Sequence, residues 1–277
     1  VAVEPSNLAV RLSTAFVGIP VILSLLYLAP PWAFYLLVLA VALVGVHELF
    51  AMTHHRDPIS QAVGVVVSAV ASITVYLRSD DPGAVLGVAV TVPLAALLFT
   101  VARPGAVETA GLRAFALAAG PLLIVVPLTL LAVMRRTQRG TGADAVLLAL
   151  GLAWLADTAG YFAGRFMGRR KLYEAISPKK TVEGAIGGLV ASVVWALLGA
   201  LVFLRGALPL SHALALGIVA GALGQAGDLG ESLLKRSTGV KDSGSMVPGH
   251  GGVLDRVDAL LMTTAVVFFY ARARGWR

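Results

Sequence analysis

Four aspartates lie inside apolar runs, where charge is costly and by default marks a function. Asp157 stands in "LAWLADTAGYFAGR", Asp228 in "GQAGDLGESLLKR", and Asp255 and Asp258 in "GHGGVLDRVDAL". On helices rising about 1.5 Å per residue, Asp157 lies about 12 Å and Asp228 about 10 Å from the polar end of its run. Asp255 and Asp258 lie about 5 to 10 Å inside the same face if the last run travels the opposite way. Asp255 and Asp258 are three residues apart and share a helical face, as do Asp228 and Glu231. Carboxylates brought to one layer without compensation repel strongly. A bound cation would resolve the conflict, and an all-oxygen donor set suits a hard ion such as Mg²⁺. The other resolution is a salt-bridge network with Lys235, Arg236 and Arg256, and the residues alone leave both open.

The charge around these acids is of the kind that holds phosphate. Between Ser232 and Leu260, "SLLKRSTGVKDSGSMVPGHGGVLDRVDAL" carries Lys235, Arg236, Lys241 and Arg256, with a glycine-rich turn at His250, Gly251 and Gly252. Backbone N–H groups at such a helix start suit phosphate oxygens. A second loop, "GRRKLYEAISPKKTVEGAIGG", reads as a helix start at Ser177-Pro178, followed by Lys179, Lys180 and Thr181. Its basic residues could anchor to anionic headgroups, while Lys179 and Lys180 at a capped start are placed to hold polyphosphate. The remaining histidines say little. His47-Glu48 opens like a zinc-protease motif, but Ala51 stands where the second histidine belongs. His54, His55 and His212 fall at expected helix ends, in interfacial positions.

The elements that must position these groups are membrane helices. Only 13% of the 277 residues are charged and 58% are hydrophobic, about half the charge of a soluble domain. Strand-like alternation is absent, so the expected fold is an all-α, polytopic bundle of about nine transmembrane helices. The runs fall near Leu8–Leu28, Trp32–Met52, Ser60–Leu77, Gly83–Val101, Gly111–Met134, Ala145–Gly164, Val182–Leu204, His212–Leu234 and Gly252–Ala271. The first reads as a span rather than a cleaved leader. Residues 1–140 are expected to be a scaffold of membrane helices, and 141–277 to carry the site and its loops. Nine crossings put 14 of the 22 Lys and Arg on the side of the charged stretch and 8 on the other, which places that stretch and the N-terminus in the cytoplasm of a cell membrane. With the net charge of +7 explained by topology, nucleic acid is not an expected partner. The absence of cysteine excludes disulfides, Cys-ligated zinc and a thiol nucleophile. Small residues at helical spacing, Gly160, Gly164 and Gly168, Gly184 and Gly188, Gly217 and Gly221, point to close helix packing.

Taken together, "SLLKRSTGVKDSGSMVPGHGGVLDRVD" closely resembles the signature of the phosphatidate cytidylyltransferases, or CDP-diacylglycerol synthases: Ser, Lys-Arg, Lys-Asp, His-Gly-Gly and Asp-Arg-x-Asp. "SPKKTVEGAIGG" and "DTAGYFAGRFMGRR" also look like family segments. Val247 departs from the Leu, Ile or Phe more usual there. The resemblance covers roughly residues 150 to 260; the earlier part supports it only as a hydrophobic bundle. It implies that CTP and phosphatidate give CDP-diacylglycerol and pyrophosphate with Mg²⁺, and that a homodimer works with its site open to the cytoplasm. On this reading Asp228, Asp255 and Asp258 hold the metal, with Asp157 nearby and a second cation possible. Lys179, Lys180, Lys235, Arg236 and Lys241 would bind the triphosphate and leaving pyrophosphate. Ser177, Thr181 and the turn at His250, Gly251 and Gly252 would donate hydrogen bonds to phosphate. Arg256 would engage the lipid phosphate or pair with a neighbouring acid.

Three other classes fit less of the sequence. An ion-coupled transporter could use intramembrane acids, but would more often show paired repeats and broken helices. A CDP-alcohol phosphatidyltransferase carries a different Asp/Gly/Arg motif, and a scaffold has no use for four acids at one depth.

Overall fold

The computed structural model describes residues 7–137, 140–244 and 251–276. Each of the nine apolar runs is a helical rod. They are α1 (Asn7–Tyr27), α2 (Pro31–Thr53), α3 (Pro58–Leu77), α4 (Pro82–Ala102), a continuous rod of α5 (Val107–Ala119) and α6 (Val126–Thr137), α7 (Gly142–Met167), α8 (Val182–Val202), α9 (Leu210–Ser237) and α10 (Leu254–Ala273). Within the fifth rod, Gly120–Val125 is a π-helical turn. Pro121 has no N–H to give there, and a side chain at Gly120 would strike Val46 and Phe50. Seven rods among the described residues are long and apolar enough to cross a bilayer, counting the α5–α6 rod as one. α10 is diluted by Asp255, Arg256 and Asp258 in its first turns.

Helix starts follow the sequence closely. Pro31, Pro58 and Pro82 open α2, α3 and α4, and Asp57 and Asp81 cap the latter two. One expectation fails. Ser177–Thr181 is not a helix start but a strand, β2, paired antiparallel with β1 (Lys171–Tyr173). Pairing along this short hairpin satisfies backbone groups that a helix would otherwise use. The cap passes to Thr181, whose Oγ1 accepts from the Gly184 N–H at 3.1 Å, and α8 begins at Val182.

Polar ties define two ends. At one, Tyr27 donates to Asp144 at 2.8 Å, Arg135 to the Leu26 carbonyl at 2.5 Å, and Arg272 to Asp80 at 3.2 Å. At the other, Asp57 accepts from Arg113 at 2.6 Å and from Arg103 at 3.4 Å, joining the α2–α3 and α4–α5 loops. The α7–α8 and α9–α10 loops also lie at this second end. One buried core runs through both parts of the chain, from Phe34 and Phe50 to Leu148, Leu254 and Val267. α7 and α8 pack closest, glycine to glycine: a Cβ at Gly184 would stand 2.8 Å from the Gly160 carbonyl.

Candidate active site

A cavity of about 600 Å³ opens at the second end, between α7, the hairpin, α8, α9 and the start of α10. Its lining includes nine of the residues singled out by sequence: Asp157, Lys179, Lys180, Thr181, Asp228, Lys235, Asp255, Arg256 and Asp258. The acids form two tiers. In the deeper one, Asp157, Asp228 and Asp258 come from three helices and lie within electrostatic reach of one another. Lys180, reaching in from β2, forms an ion pair with Asp228. One helical turn towards the polar end, Lys235 pairs with Glu231 and Asp255, each at 2.5 Å. The salt-bridge alternative is therefore realised in part, through Lys235, while Lys180 adds a pair outside that expected network.

Asp255 is the most fully engaged of these carboxylates. Its Oδ1 accepts from Lys235 at 2.5 Å, and its Oδ2 from the Gly252 N–H at 2.8 Å, the Ser243 N–H at 3.1 Å and the Ser243 hydroxyl at 2.9 Å. A carboxylate has about four lone-pair sites, so these donors occupy its capacity. The glycine turn is likewise turned inward. Gly252 donates to Asp255, while Val253 and Leu254 donate to Glu48 at 3.0 and 2.8 Å. Gly251 sits at φ +82°, a conformation only glycine adopts freely.

Other expected residues stand outside the cavity lining. Ser177 lies in β2 opposite Tyr173. Arg236 donates to the carbonyls of Ile176 and Val240 at 3.4 and 3.3 Å, bracing the hairpin and the turn after α9. Lys241 is exposed in the α9–α10 loop. His250 lies outside the described residues. Sequence reasoning passed over Tyr161, Arg165, Gln225 and Asp242, which line the cavity, and above all Glu48. Glu48 is a buried acid in the apolar run of α2. The cost of charge in an apolar run, which marks the four aspartates, applies to it equally, although His47 beside it gives the pair the look of an incomplete protease motif.

Among the described residues, no three His, Asp or Glu side chains stand together in an arrangement that could hold a metal ion. The donor chemistry nevertheless fits a hard cation. Asp157, Asp228 and Asp258 offer only oxygen, and Lys180 supplies the positive charge beside Asp228. Glu231 Oε1, one turn away, is buried with no hydrogen-bond partner among the described residues.

Comparison with known proteins gives this arrangement a context. The model of the cytidylyltransferase family matches residues 9–273. The chain is similar to a phosphatidate cytidylyltransferase of Staphylococcus saprophyticus, 46% identical over 123 residues, covering 44% of this chain and 47% of the relative. It is also similar to the proteins of that name from Synechocystis sp., 42% identical over 130 residues (47% and 44% of the two chains), and Bacillus subtilis, 42% over 128 residues (46% and 47%). Each match thus spans about half the length of the curated relative. With a family match running through α1 to α10, the chain belongs to the cytidylyltransferase family.

Proposed function

We propose that the chain transfers a cytidylyl group from CTP to phosphatidate, giving CDP-diacylglycerol and pyrophosphate. One observation carries the reading: a cavity at the polar end of a membrane bundle gathers the three acids of the deeper tier, with Lys180 of the hairpin paired to Asp228 and Lys235 of α9 paired to Asp255 one turn above. A phosphate oxygen of phosphatidate attacks the α-phosphorus of CTP, and the bond from that phosphorus to the oxygen leading to the β-phosphate breaks. Pyrophosphate leaves with the bonding electron pair. A phosphate monoester is mostly dianionic near pH 7, so the nucleophile needs little help from a base. It needs positioning and relief from the repulsion between two anions.

This chain's residues provide for both. Lys179 and Lys180, held at the rim by the hairpin, bind the triphosphate. Lys235 neutralises the leaving pyrophosphate once its hold on Glu231 and Asp255 is shared with phosphate oxygens. Arg256 at the cavity meets the lipid phosphate. Asp157, Asp228 and Asp258 would hold Mg²⁺, while Asp255, engaged by Lys235 and the loop, would fix the start of α10 one turn above. Such an ion, alone or with a second cation, supplies charge neutralisation on phosphate oxygens. The surplus of Lys and Arg at this end favours the cytoplasmic side of the cell membrane. A sunken polar chamber suits a lipid substrate that stays in the bilayer while CTP enters from water. A homodimer belongs to the same reading and is testable by cross-linking in membranes.

The test is pyrophosphate release by the purified protein in detergent with CTP, phosphatidate and Mg²⁺. Release that needs all three and stops on chelation is expected. No release under varied metals and lipids would count against the proposal. Transport of an ion gains less support from a cavity in which Lys180 and Lys235 stand among the acids, placed for a phosphorylated ligand.

A further inference from the structure

We infer that Glu48, on α2, is a positioning residue that caps the start of α10 from outside and thereby sets the place of Asp255. The inference rests on the reaction proposed above and concerns a residue outside the stretch that carries the resemblance. α10 begins with a defect: its N-cap residue, Val253, has no side chain able to accept a hydrogen bond. The first N–H groups of a helix need acceptors, and an anion there also meets the positive end of the helix dipole. Glu48 fills both needs across more than 200 positions of chain. Its Oε1 accepts from the Val253 N–H at 3.0 Å, and its Oε2 from the Leu254 N–H at 2.8 Å. Glu48 is 5% exposed, so water does not compete for these bonds.

The same carboxylate reaches Asp255 through one hydroxyl. Ser243 Oγ lies 3.0 Å from Glu48 Oε2 and 2.9 Å from Asp255 Oδ2. It has one hydrogen and can donate to only one of them at a time. When Asp255 or Lys235 engages a ligand, the hydroxyl can turn to Glu48 with no donor left bare. The glycines of the loop are shaped by this contact. A Cβ at Gly244 would stand 2.5 Å from Glu48 Oε1, and one at Gly252 would strike Ser243 Oγ and stand 2.5 Å from Glu48 Oε2 and 2.7 Å from the Gly244 nitrogen. The second glycine of His-Gly-Gly thus leaves room for the Ser243 hydroxyl and the Glu48 carboxylate together.

Two measurements on the full-length protein in detergent test the role. Hydrogen exchange at Val253 and Leu254 should quicken by about tenfold or more in Glu48→Gln, because an amide places a donor where the carboxylate accepted. In the same variant kcat per folded molecule should fall about 10- to 100-fold, with a smaller change in the KM for CTP, since the site is misplaced rather than lost. Glu48→Asp, which keeps the charge, should recover part of both. Gly252→Ala should resemble Glu48→Gln, and the double variant should be no worse than the poorer single one, as expected of residues acting through one contact. Unchanged exchange would overturn the inference. So would faster exchange with wild-type kcat, which would make Glu48 a cap without bearing on the site. If wild-type protein releases no pyrophosphate at all, the proposed reaction falls, and the exchange measurement still decides whether Glu48 holds α10.

Discussion

The helices of the first part of the chain, α1 to α6, and those of the second, α7 to α10, solve the same problem with different groups. In the first, buried polarity is mostly small and uncharged. Ser72 bridges the Thr129 hydroxyl at 2.7 Å and the Tyr35 hydroxyl at 3.3 Å, and Tyr35 stacks on Tyr76 with ring centres 3.8 Å apart. These contacts close gaps between rods. In the second part, carboxylates and lysines from separate elements meet around a cavity. Glycines there bring backbones together, as where α7 meets α8. Hydroxyls can be satisfied within a packed seam, whereas charges need partners from several directions and therefore hold a space open. Glu48 is the exception that joins the two, an acid from the apolar part spent on the polar one.

The contrast can be broken in several ways, the largest effect first. Asp258→Asn should lower turnover by about 100- to 1,000-fold or more, while the unfolding temperature holds, because it relieves repulsion with Asp157 and Asp228. A fall in stability with normal turnover would make this tier structural. Asp255→Asn should lose comparable activity and also about 2–4 kcal/mol of stability, since four donors converge on that carboxylate. Parallel thermal melts of the two variants distinguish a ligand-facing acid from one that knots the loop.

Gly184→Ala tests the seam between α7 and α8. The added methyl meets the Gly160 carbonyl and should cost about 1–3 kcal/mol, seen as a lower melting temperature with some loss of turnover. His54, just past the end of α2, is not interfacial as its place in the sequence suggests, but buried, with Nε2 lacking a partner among the described residues. Burial, aided by the Arg113 charge, lowers its pKa from 6.5 to about 4. Above 6.5 the imidazole is neutral folded or unfolded. As pH falls from 6.5 to about 4 the unfolded chain takes up the proton first, so stability is lost across that window, by at most about 3 kcal/mol. Melts against pH should show the loss, and His54→Gln should flatten it. Ser72→Ala should have the smallest effect, about 1 kcal/mol with turnover unchanged; a large loss of turnover would erase the distinction between the two parts.

Much of this was legible because bilayer physics acts on local sequence. A run of about 20 apolar residues bounded by proline, glycine or charge has few structures open to it, and each of the nine runs is a rod. Ser177–Thr181 reads as a helix start because Ser-Pro and Thr both suit one; pairing with Lys171–Tyr173, a contact between strands, makes it a strand and leaves the cap to Thr181. The phosphate-binding part expected of Gly252 was plausible from its place before a helix. The acceptors that claim its turn, Asp255 and Glu48, lie on separate helices.

Residue order alone is enough to specify the nine rods, the end of the bundle where charge collects, and which residue types could hold phosphate or a cation. These follow from hydropathy, helical period and composition, all set within a few turns of chain. Tertiary structure alone decided that Asp157, Asp228 and Asp258 share a tier, that Lys180 and Lys235 answer different acids, and that Glu48 belongs to the site. Electrostatics and hydrogen bonding act over a few ångströms of space, so partners far apart in sequence become partners only when the helices pack.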